Sequence, residues 1–247
     1  MGITDQIDAI FFDAGGTIRT RVEAAGQHVR AIRKIMELIG FDAPPDVFDA
    51  MLSRRAKDYK RWSVDIKREL TEEEFWTQWM LSEWPAGMIR PLAVQLHQLW
   101  LSGKGDFVIR PDAHEVIVEL VQRGYRLGLI SNATSREMPH ELEQLGLSPY
   151  FETVVLSGTF GRRKPDISIF LEAVRRMGVS ASRSAYVGDK PTRDIAGPRQ
   201  AGFALTIAFK EPGAAPADPT WATLVPDYVI HSLSELLTIF PSRHQGD

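Results

Sequence analysis

The sequence predicts an α/β protein whose parallel sheet is interrupted, after its first strand, by an all-helical insert. Three observations carry this reading. Ile10-Phe11-Phe12 is an apolar run that ends on Asp13 and breaks into Gly15-Gly16, the form of a short strand covered on both faces. From Ile18 to Gly105 the apolar residues recur at helical spacing, with no convincing strand. After Gly105 strand and helix patterns alternate, the signature of right-handed βαβ units and a parallel sheet.

Each element has its own signal. Glu23 to Gly40 places Val29, Ile32, Ile35, Met36 and Ile39 on one helical face, and Gly40 supplies the stop. Pro44-Pro45 precedes a second helix over Asp46 to Trp62. Thr71-Glu72-Glu73-Glu74 has the form of a capping box leading into Phe75-Trp76. Pro85 and Gly87 break that helix, and a fourth follows with Leu92, Leu96, Leu99 and Trp100. Beyond Gly105, strands are expected at Tyr125 to Ile130, Glu152 to Leu156, Ser184 to Val187, Ala204 to Ala208 and Asp227 to Ile230. Helices are expected between them at Asp112 to Arg123, Ser135 to Leu145, Asp166 to Met177 and Thr192 to Ala201, with a last one at Leu233 to Phe240. The first strand must join the later ones, because a lone strand is not stable. The expected division is therefore a core of residues 1–17 and 106–247 and a helical cap of residues 18–105, seated over the carboxyl end of the sheet above Asp13. Glu211 to Ala217, rich in Pro, Gly and Ala, reads as a surface loop.

Composition narrows the function classes. A chain of 247 residues with a net charge of -3 gives no global case for nucleic acid or an anionic membrane. The absence of cysteine removes disulfides, thiolate metal sites and a Cys nucleophile. No signal peptide pattern opens the chain, and no apolar run approaches the roughly 20 residues of a membrane span. A soluble cytoplasmic protein is the expectation. The six histidines are scattered, without metal-ligand spacing, and support no hydrolase triad.

Chemistry concentrates at the strand ends. Asp13 follows the first strand and Ser131 closes the second. Gly188-Asp189 closes the fourth, and Asp194 follows. Lys164, in Gly161-Arg162-Arg163-Lys164-Pro165-Asp166, opens the helix after the third. In a parallel sheet these ends share one edge, where open α/β sheets bind ligands. Any one of them alone is an ordinary turn or cap; together, in this order, they form a site. Asp13 is suited to nucleophilic attack on phosphorus or carbon. Asp189 and Asp194 are hard oxygen ligands suited to Mg²⁺. Ser131 and Lys164 are suited to holding the oxygens of a phosphoryl group.

On Phe12-Asp13-Ala14-Gly15-Gly16-Thr17, Leu129-Ile130-Ser131-Asn132-Ala133, Gly161 to Asp166 and Tyr186 to Asp194, the chain resembles the haloacid dehalogenase-like (HAD) superfamily. The subgroup is the one with a helical cap after the first strand. The resemblance implies a Rossmann-like core and a Mg²⁺-dependent hydrolase of a small phosphorylated metabolite, working as a monomer or homodimer. It implies Asp13 as nucleophile and Asp13, the Gly15 carbonyl, Asp189 and Asp194 as the metal site. Thr17 and Asn132 would support the loop and the phosphate site.

One position departs from the pattern. Phosphatases of this family carry a second Asp two residues after the nucleophile, which protonates the leaving group and then activates water; here that residue is Gly15. General acid–base catalysis of this kind is worth about 10²–10⁴-fold. Several readings stay open. A phosphohydrolase can act on a good leaving group or borrow an acid from cap or substrate. Haloacid dehalogenases need no such acid, but typically carry Tyr at that position and use no Mg²⁺, against which Asp189 and Asp194 stand. Phosphonoacetaldehyde hydrolases have a small residue there and a cap lysine, without the surrounding pattern seen here. A catalytically impaired protein that binds a phosphorylated ligand or partner is the remaining alternative.

Trp62, Trp76, Trp79, Trp84 and Trp100 all fall in the helical insert, leaving only Trp221 outside. Aromatics at helical spacing are most often core, with a pocket or partner surface as the sharper reading. The basic run Arg54-Arg55-Lys57-Lys60-Arg61 reads first as a solvated helix face, and second as a lure for an anionic substrate.

Overall fold

The computed structural model describes residues 2–133, 138–211 and 219–243. Its strands are β1 (Ala9–Phe12), β2 (Arg19–Val22), β3 (Asp106–Ile109), β4 (Arg126–Ser131), β5 (Phe151–Leu156), β6 (Ser184–Gly188), β7 (Leu205–Phe209) and β8 (Tyr228–Ile230). Between β2 and β3 lie α1 (Gln27–Ile39), α2 (Pro45–Asp65), α3 (Glu72–Phe75), α4 (Ala86–Ile89) and α5 (Ala93–Ser102). The later helices are α6 (Ala113–Gln122), α7 (Met138–Gln144), α8 (Ser157–Phe160), α9 (Ile167–Met177), α10 (Gly197–Gln200) and α11 (Leu236–Ile239).

Six strands form one parallel sheet in the order β5-β4-β1-β6-β7-β8. β1 lies inside it, between β4 and β6, and every one of its residues is buried. Its side chains alternate between the two faces. Ile10 and Phe12 enter one apolar cluster, with Val116, Ile117 and Leu120 of α6; Ala9 and Phe11 enter another, with Ile169, Phe170 and Ala173 of α9. An unbroken apolar run is what burial on both faces requires.

The sequence reading of the sheet agrees with this arrangement; α1 stops at Gly40 as expected, and α9 ends at Met177, capped by Gly178. Thr71 and Glu74 form the expected capping box: Glu74 N donates to Thr71 Oγ1 at 3.2 Å and Thr71 N donates to Glu74 Oε2 at 3.0 Å. Three segments differ. Residues 19–22, read from the sequence as the start of the helical insert, form β2, paired antiparallel with β3. Arg19-Thr20-Arg21-Val22 is short and polar, so no hydrophobic alternation marks it; its order comes from the partner strand and from Phe107. Trp76–Met80 and Pro191–Ala196 wind as π-helical turns rather than α-helix. The loop expected at Glu211 to Ala217 and the start of the helix expected from Ser135 fall on residues 212–218 and 134–137, outside the described ones.

The helical block has a core of its own, in which Ile35, Phe48, Leu52, Trp76 and Leu96 are buried and Trp62, Trp79 and Trp84 pack at the margin. It meets the sheet domain through a buried carboxylate. Glu69 Oε1 accepts from Tyr59 at 2.5 Å, and its Oε2 accepts from Ser157 at 3.0 Å and lies 3.4 Å from Arg163 Nη1. The backbones join as well, Glu69 N donating to Gly161 O and Arg163 N to Lys67 O. No helix of the described residues is long and apolar enough to cross a membrane.

His97 of α5 is buried edge-on to Phe75, with ring centroids 5.5 Å apart. Burial, reinforced by Lys104, pushes its imidazole down to about 4. The unfolded chain takes up this proton near pH 6.5, the folded one only near 4. Stability present above the first value is therefore lost as pH falls through the second, by up to about 3 kcal/mol. Urea unfolding of the wild type should weaken across that window, and His97→Gln should flatten the dependence; equal slopes would remove His97 from it.

Candidate active site

The site begins with the strand that enters it. β1 delivers Asp13 to the carboxyl edge of the sheet, where its N–H donates to Val187 O at 2.9 Å. β6 ends beside it on Gly188, and the turn that follows supplies Asp189 and Asp194. Two glycines make the approach possible. A Cβ at Gly16, which has φ +88°, would lie 2.4 Å from Asp189 Oδ2, and one at Gly188 would lie 2.4 Å from Asp194 Cβ. Any side chain there would push these carboxylates away.

Lys164 binds the group together. Its Nζ is 2.7 Å from Asp13 Oδ1, 2.7 Å from Asp194 Oδ1 and 2.7 Å from the Tyr186 hydroxyl. All three ammonium donors are thus engaged. The residue is 1 % exposed, and a buried charge of this kind is tolerated only when paired and hydrogen-bonded. Asn132 fixes the backbone that carries it: Lys164 N donates to Asn132 Oδ1 at 2.7 Å and Asn132 Nδ2 donates to Lys164 O at 2.9 Å.

Asp13, Asp189 and Asp194 each present an oxygen within 4.8 Å of the others'. Arg193 reaches over the three, its Nη2 lying 3.8 Å from Asp13, 3.4 Å from Asp189 and 3.7 Å from Asp194. Lys190 Nζ lies 3.0 Å from Asp189 Oδ2, so three cations face the three carboxylates. Burial raises the Asp13 carboxyl above its ordinary range; Lys164 and Arg193 oppose that shift, while Asp194 and Asp189 add to it. Burial also pushes Asp194 up, but Lys164 and Arg193 outweigh it and hold that carboxyl below the usual value. Burial and the neighbouring Asp194 keep the Tyr186 phenol well above its normal range. The hard oxygen donors and an Asp13 Oδ2 that is buried without a hydrogen-bond partner among the described residues fit a small divalent cation.

The remaining sequence-predicted residues surround this group. Ser131 ends β4, is 5 % exposed and lines a cavity of about 350 Å³ with Gly15 and Asn132. Thr17 is fully buried next to the Gly15-Gly16 turn. Space beside Gly15 is open, with no atom within 4 Å of where a Cβ would stand. Two participants escaped the sequence reading. Tyr186 hides in an apolar strand, and Arg193 sits between two aspartates in a turn whose inward direction no periodicity reveals.

Residues 7–202 match the family model for haloacid dehalogenase-like hydrolases. Over 239 residues the chain is 33 % identical to a glyceraldehyde 3-phosphate phosphatase of Methanothermobacter thermautotrophicus, covering 94 % of this chain and 99 % of the relative. A phosphoserine phosphatase of Thermus thermophilus is 30 % identical over 151 residues, 61 % of this chain and 59 % of that protein. Among solved structures, a 2-haloacid dehalogenase from Pseudomonas syringae aligns with a TM-score of 0.66 at 26 % identity, over 94 % of this chain and 97 % of that one. A HAD phosphatase from Thermococcus onnurineus aligns at 0.62 and 20 % identity, over 96 % and 99 %, a likeness of fold.

Removing the Lys164 ammonium leaves Asp13 and Asp194 buried against each other without their shared counter-ion. Lys164→Met should lower the unfolding free energy near neutral pH by about 3–5 kcal/mol, read by urea denaturation. A loss below about 1 kcal/mol would mean that the contact is not what holds the cluster.

Proposed function

The chain belongs to the haloacid dehalogenase-like hydrolases, and from that premise we propose that it is a Mg²⁺-dependent phosphatase of small phosphorylated metabolites using Asp13 as its nucleophile. The observation that carries the reading is the meeting of Asp13, Asp189, Asp194 and Lys164 at one sheet edge. The relatives named as phosphatases support the choice of phosphorus.

In this reading Lys164 orients the Asp13 carboxylate, one of whose oxygens attacks phosphorus in line while the other faces the metal site. The ester bond to the leaving oxygen breaks and an aspartyl-phosphate forms. Ser131 and Lys164 bind the phosphoryl oxygens, Lys164 by trading one of its three present bonds. Water then attacks phosphorus and releases phosphate, restoring the Asp13 carboxylate. Asp13, the Gly15 carbonyl, Asp189 and Asp194 would hold Mg²⁺, which when bound neutralises charge on the transferring group. Asn132 positions Lys164, and Thr17 supports the turn beneath the site. The helical block acts as a cap that excludes water while the reaction proceeds. Gly15 brings no acid, so the leaving group must depart without help from that position.

The test compares release of phosphate from an aryl, an acyl and an alkyl phosphate. Wild type should turn over the first two in a chelator-sensitive way, and Asp13→Asn should abolish this. Gly15→Asp, for which there is room, should raise alkyl phosphate turnover by about 10²–10⁴-fold and aryl phosphate turnover far less. Full activity in Asp13→Asn would sink the nucleophile assignment. Chelator-indifferent halide release from a 2-haloacid, without phosphate release, would transfer the reaction to carbon.

A further inference from the structure

The cavity that opens onto Ser131 and Gly15 is strongly basic elsewhere on its wall: five basic side chains line it against two carboxylates. Both carboxylates are already engaged. Glu141 pairs with Arg19, and Glu69 is taken by Arg163, Tyr59 and Ser157. Arg21, Lys60 and Lys104 remain, with no carboxylate within ion-pair distance among the described residues.

These three come from different elements, and contacts hold Arg21 and Lys104 in place. Arg21 of β2 donates through Nη1 to Leu101 O at 2.8 Å and Gly105 O at 3.0 Å, which ties the strand to the end of α5. Its guanidinium carbon lies 3.9 Å from the centre of the Phe107 ring, which Arg19 approaches to 3.4 Å. The Lys104 amine lies 4.5 Å from the centre of the Trp100 ring, and Lys60 projects from α2 into the same cavity. Lys104 as a whole residue is exposed, yet the atoms packed around it, followed by Arg21 and Lys60, push its amine down to about 8. These cations thus act on one another. The Asp106 carboxylate offsets only part of the cost at Arg21, and converging like charges stay unfavourable until an anion joins them.

None of these groups contacts the Asp13 cluster, whose carboxylates pair with Lys164, Lys190 and Arg193. They therefore serve a part of the ligand other than the phosphoryl group. We propose that the substrate carries a second anionic group, a carboxylate or a second phosphate, held in the cavity by Arg21, Lys60 and Lys104. This rests on the hydrolase reading above and adds the substrate class. A cavity of about 350 Å³ limits the molecule to a small metabolite. The neighbouring Phe107 and Trp100 rings offer apolar walls to the carbon chain between its two charged ends.

The test uses non-hydrolysable probes, so that it does not depend on turnover. Propylphosphonate, 3-phosphonopropionate and propane-1,3-bisphosphonate are titrated calorimetrically, with Mg²⁺ present, into wild type and into the Lys60→Met/Lys104→Met double variant. Circular dichroism confirms that the variant is folded. In the wild type at least one anionic-tailed probe should bind about 10-fold more tightly than propylphosphonate. Whether 3-phosphonopropionate or the bisphosphonate gains more identifies the second anion as carboxylate or phosphate. In the double variant the ratio should fall to near one. Equal binding of all three probes by wild type, or an advantage that survives in the double variant, would overturn the proposal. Failure of the hydrolase reading would appear separately, as no phosphate release from the corresponding phosphate esters while the binding ratio stands.

Discussion

A lysine ammonium buried between two carboxylates is the constraint around which this molecule is arranged. Lys164 is 1 % exposed and touches Asp13, Asp194 and Tyr186 at once. A charge so placed is stable only if every donor finds its acceptor in good geometry. That condition fixes the ends of β1 and β6 relative to the loop before α9. The Asn132 clamp on the Lys164 backbone extends the same constraint to the end of β4. Three segments far apart in sequence are thereby held at one edge of the sheet.

The same loop also carries the helical block. Gly161 and Arg163 bond to the backbone at Glu69 and Lys67, while the Arg163 and Ser157 side chains meet the buried Glu69 carboxylate. Tyr59 closes the far side of that carboxylate. The position of the block above the cavity and the position of Lys164 beneath it are consequently set by adjacent residues. The two attachments lie within a stretch only four residues long, Gly161 to Lys164.

Gly15 gives the site its individual character. The chain belongs to a family of hydrolases, yet it offers open space where an acidic side chain is expected. The carboxylates, lysine and arginine around that space form a connected network. In the proposed reading, chemistry at phosphorus would have its nucleophile and its charge compensation within the core, and would lack an acid at this one position. The basic wall of the cavity lies on the other side, contributed by β2, α2 and the residues after α5. The two halves of the site thus have separate origins, one in the sheet edge and one in the helical block and the ribbon that leads into it.

What the sequence determined by itself is the sheet and the identity of the groups on its edge. Ile10-Phe11-Phe12 is apolar because both faces of β1 are covered, and a run without alternation is legible from one chain alone. Asp13, Ser131 and Asp189 were legible because strand ends are marked by a change from apolar to polar residues, and Asp194 and Lys164 from the turn and the loop that precede the next helices. Tertiary structure alone decided the rest. β2 is polar and four residues long, so its pairing with β3, and with it the direction of Arg19 and Arg21 into the cavity, left no periodic trace. Tyr186 was indistinguishable from a core aromatic until its hydroxyl met Lys164. Arg193 and Lys60 looked like solvated charges, as most do, and the basic run on α2 gave no hint that Lys60 alone among its members lines the cavity. The physical reason is common to these cases. Apolar burial is written in local spacing, whereas the partner of a charge is set by distances between segments that meet only once the chain has folded.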